Sequence, residues 1–197
     1  MLMRLTEIRF AGFGGQGVIL AASVVGKAAS IFHGGHATMT QNFGPESRGG
    51  ACSAQVILSD EPILYPYVNR PDVLVALSQE AYNKFVPELK PGGMLLVEQD
   101  LVQLGKLPEG TKVYGVPATR LAEELGRRMV LNIVVVGFFA AVTGLLDPQT
   151  LRSAVEDSVP PAFRELNFKA FQKGFEYGTA SHPLTGESEA VSAVRNA

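Results

Sequence analysis

The chain has little cysteine, little net charge and no cluster of basic residues, and each shortage excludes a class of protein. Cys52 is the single cysteine among 197 residues, so an internal disulfide is impossible and a reducing compartment, the cytoplasm, is expected. An iron–sulfur cluster needs about four ligands, mostly thiolates, so this chain cannot hold one by itself. Lys and Arg, 17 in all against 19 Asp and Glu, are scattered, which does not fit a nucleic-acid-binding surface.

Long hydrophobic runs are also scarce, with one exception between residues 129 and 146. Asn132 and Thr143 are its polar members, and Gly137 and Gly144 interrupt it. A membrane span takes about 17–25 residues, so the run is at the short end of that range. We expect a helix buried in a core or at a subunit contact, not a membrane span, and we expect Asn132 to cap or cross-link buried backbone. The mixed, charged start of the chain does not resemble a secretory signal.

A glycine-rich turn is the most informative feature that is present. Residues 12–17 read GFGGQG; a strand-like run, Ile8 to Ala11, precedes them, and a helix-compatible stretch, Val18 to Phe32, follows. Glycines allow a positive φ and a close backbone approach, and the first N–H groups of a helix point at an anion. The pattern predicts a phosphate cradle, and its candidate binding residues are Gly12, Gly14, Gly15, Gln16 and Gly17.

The turn matches the dinucleotide spacing G-x-G-x-x-G, but the rest of that signature is missing. A dinucleotide site requires an acidic residue about 20 positions later to bind the ribose hydroxyl. No Asp or Glu occurs between the turn and Glu46. The sequence therefore favours a phosphate-type loop and disfavours an NAD site.

A second glycine-containing polar segment, His36 to Ser53, is predicted to be one long loop. It reads HATMTQNFGPESRGGACS, and turn signals flank Ser47 and Arg48. A guanidinium near a phosphate-type loop could bind a phosphate or carboxylate through two parallel hydrogen bonds. The equally weighted alternative is that Arg48 pairs with Glu46 and only orders the loop.

Predicted strands and helices alternate along the chain, which indicates an α/β fold with a largely parallel sheet covered on both faces. In such folds ligands bind beyond the carboxyl ends of the strands, where the glycine turn would lie. Strands are predicted at Leu5–Ala11, Ala54–Ser59, Val73–Leu77, Met94–Val97 and Lys112–Val116. Helices are predicted at Val18–Phe32, Thr119–Arg128, Pro148–Asp157 and Ala162–Tyr177, in the apolar run at 129–146, and after an N-cap at Ser78 through Phe85.

Other residues with chemical potential give weaker signals. His33 and His36 flank two glycines, but no Asp, Glu or Cys adjoins them, so no metal site is predicted. Cys52 has no His or Lys close in sequence to activate its thiol and is interpreted as a buried small residue. Tyr65 and Tyr67 are interpreted either as interface aromatics or as a cover for the sheet edge.

Two motifs together resemble the gamma subunit of 2-oxoacid:ferredoxin oxidoreductases. They are the GFGGQG turn at residues 12–17 and the FGPESRGG run at residues 43–50, about 30 residues apart. The segment PDVLVALSQEAY at residues 71–82 is similar to the form in 2-oxoglutarate-type members. The resemblance covers roughly residues 5–178, so a gamma-type domain is expected over residues 1–178 and a flexible tail over residues 179–197.

The resemblance implies an enzyme subunit that is not active alone. In this family a 2-oxoacid is oxidatively decarboxylated on thiamine diphosphate, electrons pass through iron–sulfur clusters to ferredoxin, and the acyl group passes to coenzyme A. The gamma part resembles a three-layer α/β/α domain, here with a helical C-terminal part, that helps to enclose coenzyme A. Thiamine diphosphate, Mg and 4Fe–4S clusters are expected in alpha, beta and delta-type (ferredoxin-like) partner subunits. The isolated chain is expected to hold none of them and to self-associate through its shared surfaces.

With the resemblance, the candidate residues acquire expected roles. Gly14, Gly15, Gln16 and Gly17 would line a coenzyme A or interface site, and Arg48 with Ser47 would contact the thioester-forming end. The rival hypothesis is that the Arg48 loop only fastens this subunit to its partners. No catalytic residue is predicted. Alternative functions are an NAD(P)-dependent dehydrogenase, a nucleotide-sensing module and, within the family, a pyruvate- or indolepyruvate-type complex.

Overall fold

One mixed six-stranded sheet organises the fold in the computed structural model, which describes residues 5–43 and 51–181. The strands, in the spatial order β2-β3-β1-β4-β5-β6, are β1 Thr6–Phe13, β2 His36–Phe43, β3 Ala51–Ser59, β4 Val73–Ala76, β5 Met94–Glu98 and β6 Lys112–Val116. The helices are α1 Val18–Lys27, α2 Gln79–Phe85, α3 Ala118–Glu124, α4 Leu131–Thr143, α5 Pro148–Ser158 and α6 Arg164–Ala180. Helices cover both faces, so the predicted three-layer α/β/α fold with a helical C-terminal part is confirmed.

The sheet is parallel on one side and antiparallel on the other. Strands β1, β4, β5 and β6 run parallel, whereas β3 pairs antiparallel with β1 and with β2. The carboxyl ends of the parallel strands therefore meet at one edge of the sheet, and β1 delivers the glycine turn to that edge.

The prediction of one long loop from His36 to Ser53 is wrong. Strands β2 and β3 form an antiparallel hairpin in continuous register, from the His36–Ser59 pair to the Phe43–Cys52 pair. The error arose because Thr, Gln and Asn occupy four of the eight positions of β2. Strand propensity depends on cross-strand neighbours, and the apolar strand β3 supplies them here.

Most of the core lies on one face of the sheet, because five of the six helices contribute buried residues to that side. Ile8 and Phe10 of β1 point into it and pack against α1 and α4, and the Phe10 ring is 5.7 Å from the Phe139 ring. The smaller core on the opposite face contains α2 and residues such as Leu74 and Leu95. Ser78 caps α2 as predicted, since its Oγ accepts a hydrogen bond from the N–H of Ala81 at 3.2 Å.

Helices α4 and α6 cross in direct backbone contact. A Cβ atom built on Gly174 would lie 1.9 Å from the carbonyl oxygen of Val134, and one built on Gly137 would lie 2.0 Å from that of Phe171. Only glycine fits at these two positions while the helices stay this close. The predicted burial of the apolar run is confirmed by α4, whose residues Leu131 to Ala140 are all buried. No helix in the described ranges is long and apolar enough to cross a membrane.

The C-terminal helix extends beyond the predicted domain boundary at residue 178. Helix α6 continues to Ala180, and Ser181 Oγ donates a hydrogen bond to the carbonyl of Tyr177 at 2.7 Å. The remainder of the predicted tail, residues 182–197, lies outside the described residues. The tail therefore stays a prediction.

Candidate functional site

The glycine turn connects the end of β1 to the start of α1 at the carboxyl edge of the parallel strands. Gly15 has a φ of 97° and Gly17 a φ of 71°, values that L-residues with a side chain rarely adopt. Gly14 and Gly15 are exposed, and a Cβ atom on Gly15 would meet no atom within 4 Å. Gly15 is therefore required by its backbone conformation, and the space in front of it is open.

The side chain of Gln16 folds back and holds the turn in shape. Its Oε1 accepts a hydrogen bond from the backbone N–H of Phe13 at 2.7 Å. Its Nε2 donates to the carbonyl of Leu77, at the end of β4, at 2.9 Å. Gln16 thus ties the turn to the neighbouring strand, and both of these bonds are made within the protein. Its predicted contact with a ligand stays a prediction.

Gly12 gives Gln16 the room for this arrangement. A Cβ atom on Gly12 would lie 2.4 Å from Gln16 Oε1 and 3.1 Å from the Cβ of Leu77. Gly12 is buried at the end of β1, so its observed role is to admit the folded-back side chain. Among the predicted residues of the turn, Gly14 and Gly15 are the exposed ones.

Asn132 forms the rear wall of the turn, a role that goes beyond the capping or cross-linking predicted from sequence. It is buried near the start of α4, and its Nδ2 lies 3.5 Å from the carbonyl oxygen of Gly17. A Cβ atom on Gly17 would overlap the Asn132 side chain at 2.6–2.8 Å. The signal in the sequence was a single amide side chain at the start of an otherwise apolar run.

In the first turn of α1, no acidic side chain offsets the partial positive charge of the helix dipole. Gly17 is the N-cap, no side chain of the described residues caps it, and the first turn contains no acidic residue. The first N–H groups of a helix have no partner inside the helix, and the helix dipole adds a partial positive charge there. Phe13, the last residue of β1, and Leu20, in the first turn of α1, have partly exposed apolar side chains. This arrangement suits a ligand that carries both an anionic group and an apolar surface.

Ser47 and Arg48 lie outside the described residues, so their predicted contacts are not tested. The backbone register nevertheless fixes where the ends of their segment lie. Phe43 pairs with Cys52, and Gly12 and Phe13 of β1 pair with Cys52 and Ala51. Both ends of segment 44–50 are therefore at the same sheet edge as the glycine turn.

A buried carboxyl group, Glu98, ends β5 at this edge. Its Oε2 accepts hydrogen bonds from the N–H and the hydroxyl of Thr119, at 2.8 and 3.1 Å, and its Oε1 accepts one from the N–H of Asp100 at 3.2 Å. Burial raises the pKa of Glu98 above its ordinary value, and these hydrogen bonds offset part of the effect. Both groups that donate to Oε2 belong to Thr119 in the first turn of α3, and the Asp100 N–H belongs to the turn that follows β5, so Glu98 anchors α3 to the end of β5.

The remaining candidates do not form a reactive centre. Partial burial raises the pKa of the Cys52 thiol, which disfavours the thiolate. His33 Nε2 lies 3.9 Å from Asp60 Oδ1, and His36 begins β2. Within residues 5–43 and 51–181, no three His, Cys, Asp or Glu side chains are grouped closely enough to hold a metal ion.

A groove of about 570 Å³ lies at the other end of α4 from the turn. Small residues such as Ala141 and Gly144 line it, together with Phe175 of α6. Asp147 also lines it, but its carboxylate accepts hydrogen bonds from Gln149 and Thr150 as the cap of α5. The Asp147 carboxylate and the hydroxyls of Thr179 and Ser181 in this groove all form hydrogen bonds within the chain, so the glycine turn is the stronger candidate site.

Comparison with known proteins gives one consistent family. The family model described as pyruvate ferredoxin/flavodoxin oxidoreductase matches residues 7–177. The 2-oxoglutarate synthase subunit KorC of Methanocaldococcus jannaschii is 46% identical over 172 residues, which cover 86% of this chain and 92% of that subunit.

Two solved structures share the fold. The gamma subunit of a keto/oxoacid ferredoxin oxidoreductase from Geobacter sulfurreducens matches with a TM-score of 0.80 and 44% identity, over 89% of this chain and 97% of that chain. A 2-oxoglutarate:ferredoxin oxidoreductase from Magnetococcus marinus, solved with 2-oxoglutarate, coenzyme A and succinyl-CoA, matches with a TM-score of 0.82 and 24% identity. That match covers 93% of this chain but 32% of the other, so there the same fold is part of a much longer polypeptide.

Proposed function

The chain belongs to the pyruvate ferredoxin/flavodoxin oxidoreductase family as a gamma subunit of a 2-oxoacid:ferredoxin oxidoreductase, and on that premise we propose that its complex converts 2-oxoglutarate to succinyl-CoA. The observation that supports this substrate is the 46% identity to a 2-oxoglutarate synthase subunit across nearly the whole domain. The reaction is an oxidative decarboxylation with ferredoxin as the electron acceptor. This subunit takes part in the reaction only as a component of the complex.

Within that complex, the glycine turn contributes to a binding site for coenzyme A. Coenzyme A carries several phosphate groups and an adenine ring. The turn offers exposed backbone at Gly14 and Gly15, the uncapped start of α1, and apolar surface on Phe13 and Leu20. Exposed amides and a helix N-terminus bind phosphate, and apolar side chains pack against a base. Ser47 and Arg48 would add polar contacts from segment 44–50, which begins and ends at this edge.

Partner subunits supply the cofactors of the reaction. Thiamine diphosphate with its Mg and the iron–sulfur clusters are held by alpha, beta and delta-type subunits, and ferredoxin docks on the assembly. The single cysteine of this chain supports that division, because a cluster needs about four ligands.

Purification of the chain from the organism that encodes it tests the proposed complex. We expect a tagged chain to bring down thiamine- and ferredoxin-type subunits and brown iron–sulfur absorbance. The purified complex should reduce ferredoxin with 2-oxoglutarate and coenzyme A at a kcat/KM at least about tenfold above that with pyruvate, 2-oxoisovalerate or indolepyruvate. A higher kcat/KM with any of these three would refute the substrate. An isolated chain that binds NADH in a fluorescence titration and is active without partners would refute the function.

Two matched glycine substitutions test the coenzyme A site. Gly15 and Gly92 both have left-handed φ values, 97° and 73°, and in both cases a Cβ atom would meet nothing within 4 Å. Gly15→Ala and Gly92→Ala therefore introduce similar backbone strain, about 1–2 kcal/mol. Gly92 lies just before the start of β5, at the amino ends of the parallel strands, whereas the glycine turn lies at their carboxyl ends. Gly92 therefore serves as the control.

We expect Gly15→Ala to raise the KM for coenzyme A about tenfold, because its methyl group occupies the space that a phosphate would approach. Gly92→Ala should leave this KM unchanged while lowering the melting temperature of the chain by a similar amount. Equal KM values for the two variants would refute ligand contact at the turn and leave the family and the substrate in place.

A further inference from the structure

The sheet has two edge strands, β2 and β6, and they differ in how well they are protected from pairing with another strand. In the part of the chain that the structure describes, β2 pairs with β3 on one side and with no strand on the other. It has eight residues, its sequence HATMTQNF contains no Asp, Glu, Lys, Arg or Pro, and its register with β3 is continuous, without a bulge. Charges, prolines, bulges and short length are the devices that normally keep an edge strand from pairing.

The opposite edge has some of these devices. Strand β6 has five residues and begins with the exposed Lys112. It also contains Gly115, which weakens a strand. The same sheet thus has one protected edge and one edge with an unpaired row of backbone N–H and C=O groups, which is suited to pairing with another strand.

Exposed apolar side chains cluster around one end of β2. Leu64, Tyr65 and Tyr67 are 95%, 58% and 55% exposed, and Ile31 and Phe32 are 65% and 40% exposed. These five are among eleven large apolar side chains that are exposed in the described residues. Large exposed apolar clusters mark interaction sites more often than isolated exposed residues do.

The topology brings both groups to the same end of the hairpin. Ile31 and Phe32 precede His36, the first residue of β2, and the segment with Leu64 follows Ser59, which pairs with His36. The segment is also fixed to the sheet, because the Val68 N–H donates to Gln55 Oε1 at 3.0 Å. The two tyrosines contact each other edge to face with their centroids 5.5 Å apart.

From these observations we propose that the β2 edge is a docking site for an extended, uncharged segment of a partner subunit, which adds a seventh strand to the sheet. This inference rests on the proposed function. The occupant is a partner and not a second copy of this chain, because in the longer Magnetococcus chain the shared fold amounts to 32% of a polypeptide that carries additional protein. A stand-alone gamma subunit must form its contacts to such additional protein between separate chains. The exposed apolar side chains beside the edge would pack against the same partner.

Hydrogen exchange on the purified complex and on the isolated full-length chain tests this docking site. In the isolated chain we expect the amides of β2 that point away from β3 to exchange fast. In the complex the same amides should exchange at least about tenfold more slowly, because they are paired. Unchanged exchange in a complex that contains the partner subunits would overturn the docking site and leave the proposed function standing. Failure to recover any partner would overturn both.

Two matched substitutions provide an independent readout. Gln41 of β2 and Gln172 of α6 are both exposed, so Gln41→Lys and Gln172→Lys change the charge equally at the edge and away from it. We expect Gln41→Lys to weaken the affinity for the partner subunits about tenfold or more and Gln172→Lys to leave it unchanged. Equal affinities would overturn the proposal. Slow β2 exchange in the isolated chain that depends on protein concentration would assign the edge to a second copy and would overturn it as well.

Discussion

The crossing of α4 and α6 predicts that one substitution, glycine to alanine, has opposite effects on stability at two helical positions. At Gly174 in α6, a methyl group would lie 1.9 Å from the carbonyl oxygen of Val134, although real Cβ contacts are essentially never under 3.0 Å. The helices must therefore move apart by about 1 Å. A backbone carbonyl cannot rotate out of the way as a side chain can, so the displacement affects the whole interface.

The expected magnitude follows from two opposing contributions. Overpacking of a core costs about 1–3 kcal/mol and occasionally more, and contact with a rigid backbone places Gly174→Ala at the upper end. Alanine regains about 1 kcal/mol of helix propensity relative to glycine. The net loss in the free energy of unfolding should be about 2 kcal/mol.

Gly26 in α1 is the matched control. It is buried in a helix like Gly174, but its Cβ atom would lie 3.6 Å from Val56 Cγ1, an ordinary van der Waals distance. With no steric cost, Gly26→Ala should stabilise the protein by about 0.5–1 kcal/mol through helix propensity and a less flexible unfolded chain. The two variants should therefore differ by about 3 kcal/mol.

Urea unfolding of the full chain at 25 °C, followed by far-UV circular dichroism at low protein concentration, measures both values. A double variant adds a check, because Gly137→Ala forces the same two helices apart. Once the helices have separated, the second methyl group should cost less than it does alone. A neutral or stabilising Gly174→Ala, or strictly additive costs in the double variant, would refute direct backbone contact at the crossing.

Three further predictions concern the carboxyl edge of the sheet. The Glu98 pKa is raised in the folded state, so this carboxyl favours folding below the ordinary glutamate pKa of about 4.3 and loses that contribution as the pH rises through its folded-state pKa. The unfolding free energy of the wild type, measured relative to Glu98→Gln, should therefore decrease over this pH range, and an increase would contradict the assigned cause. Asn132→Ala removes the side chain that packs behind Gly17, so it should lower the free energy of unfolding by about 1–2 kcal/mol and make the amides of the turn exchange faster. Unchanged, slow exchange in the turn would show that this side chain is not needed there. Arg48→Ala should raise the KM for coenzyme A about tenfold if the guanidinium contacts a phosphate, whereas weaker subunit assembly with an unchanged KM would favour the rival fastening role.

Much of the sheet could be predicted because its parallel strands are buried on both faces. The apolar runs of β4 and β5 and the turn before β5 needed no tertiary information, and β6 was predicted with the observed bounds. The cap at Ser78 was equally predictable, since a serine N-cap acts within three residues of the chain.

The β2 strand could not be predicted from local pattern. Ala37 and Met39 alternate with Thr38 and Thr40 and pack against the core, but Gln41 interrupts this apolar series, so the period-2 pattern is too short to distinguish the strand from a polar loop. Pairing with β3 decides its conformation, and that pairing is a contact between strands. The hairpin could be recognised only after β3 had been placed.

The candidate site was predictable in position and less so in detail. The strand, glycine turn and helix were all contained in residues 5–32, so the turn was placed correctly. The inward fold of Gln16 depends on the carbonyl of Leu77, and the wall behind Gly17 depends on Asn132, 115 residues further along the chain. Sequence spacing does not identify Leu77 or Asn132 as a partner of the turn, because the packing of strands and helices brings both residues to it.

The glycine crossing has a mechanical consequence for the turn. Helices α4 and α6 pack with their backbones in contact. They cannot slide or rotate past each other without a collision of carbonyl oxygens with the opposing helix, so we expect them to move as one rigid unit. This rigid pair of helices places Asn132 against the turn, so we expect the Gly17 side of the turn to move little. If the turn binds a ligand as proposed, we expect the motion that admits it to come from the exposed side, at Gly14 and Gly15.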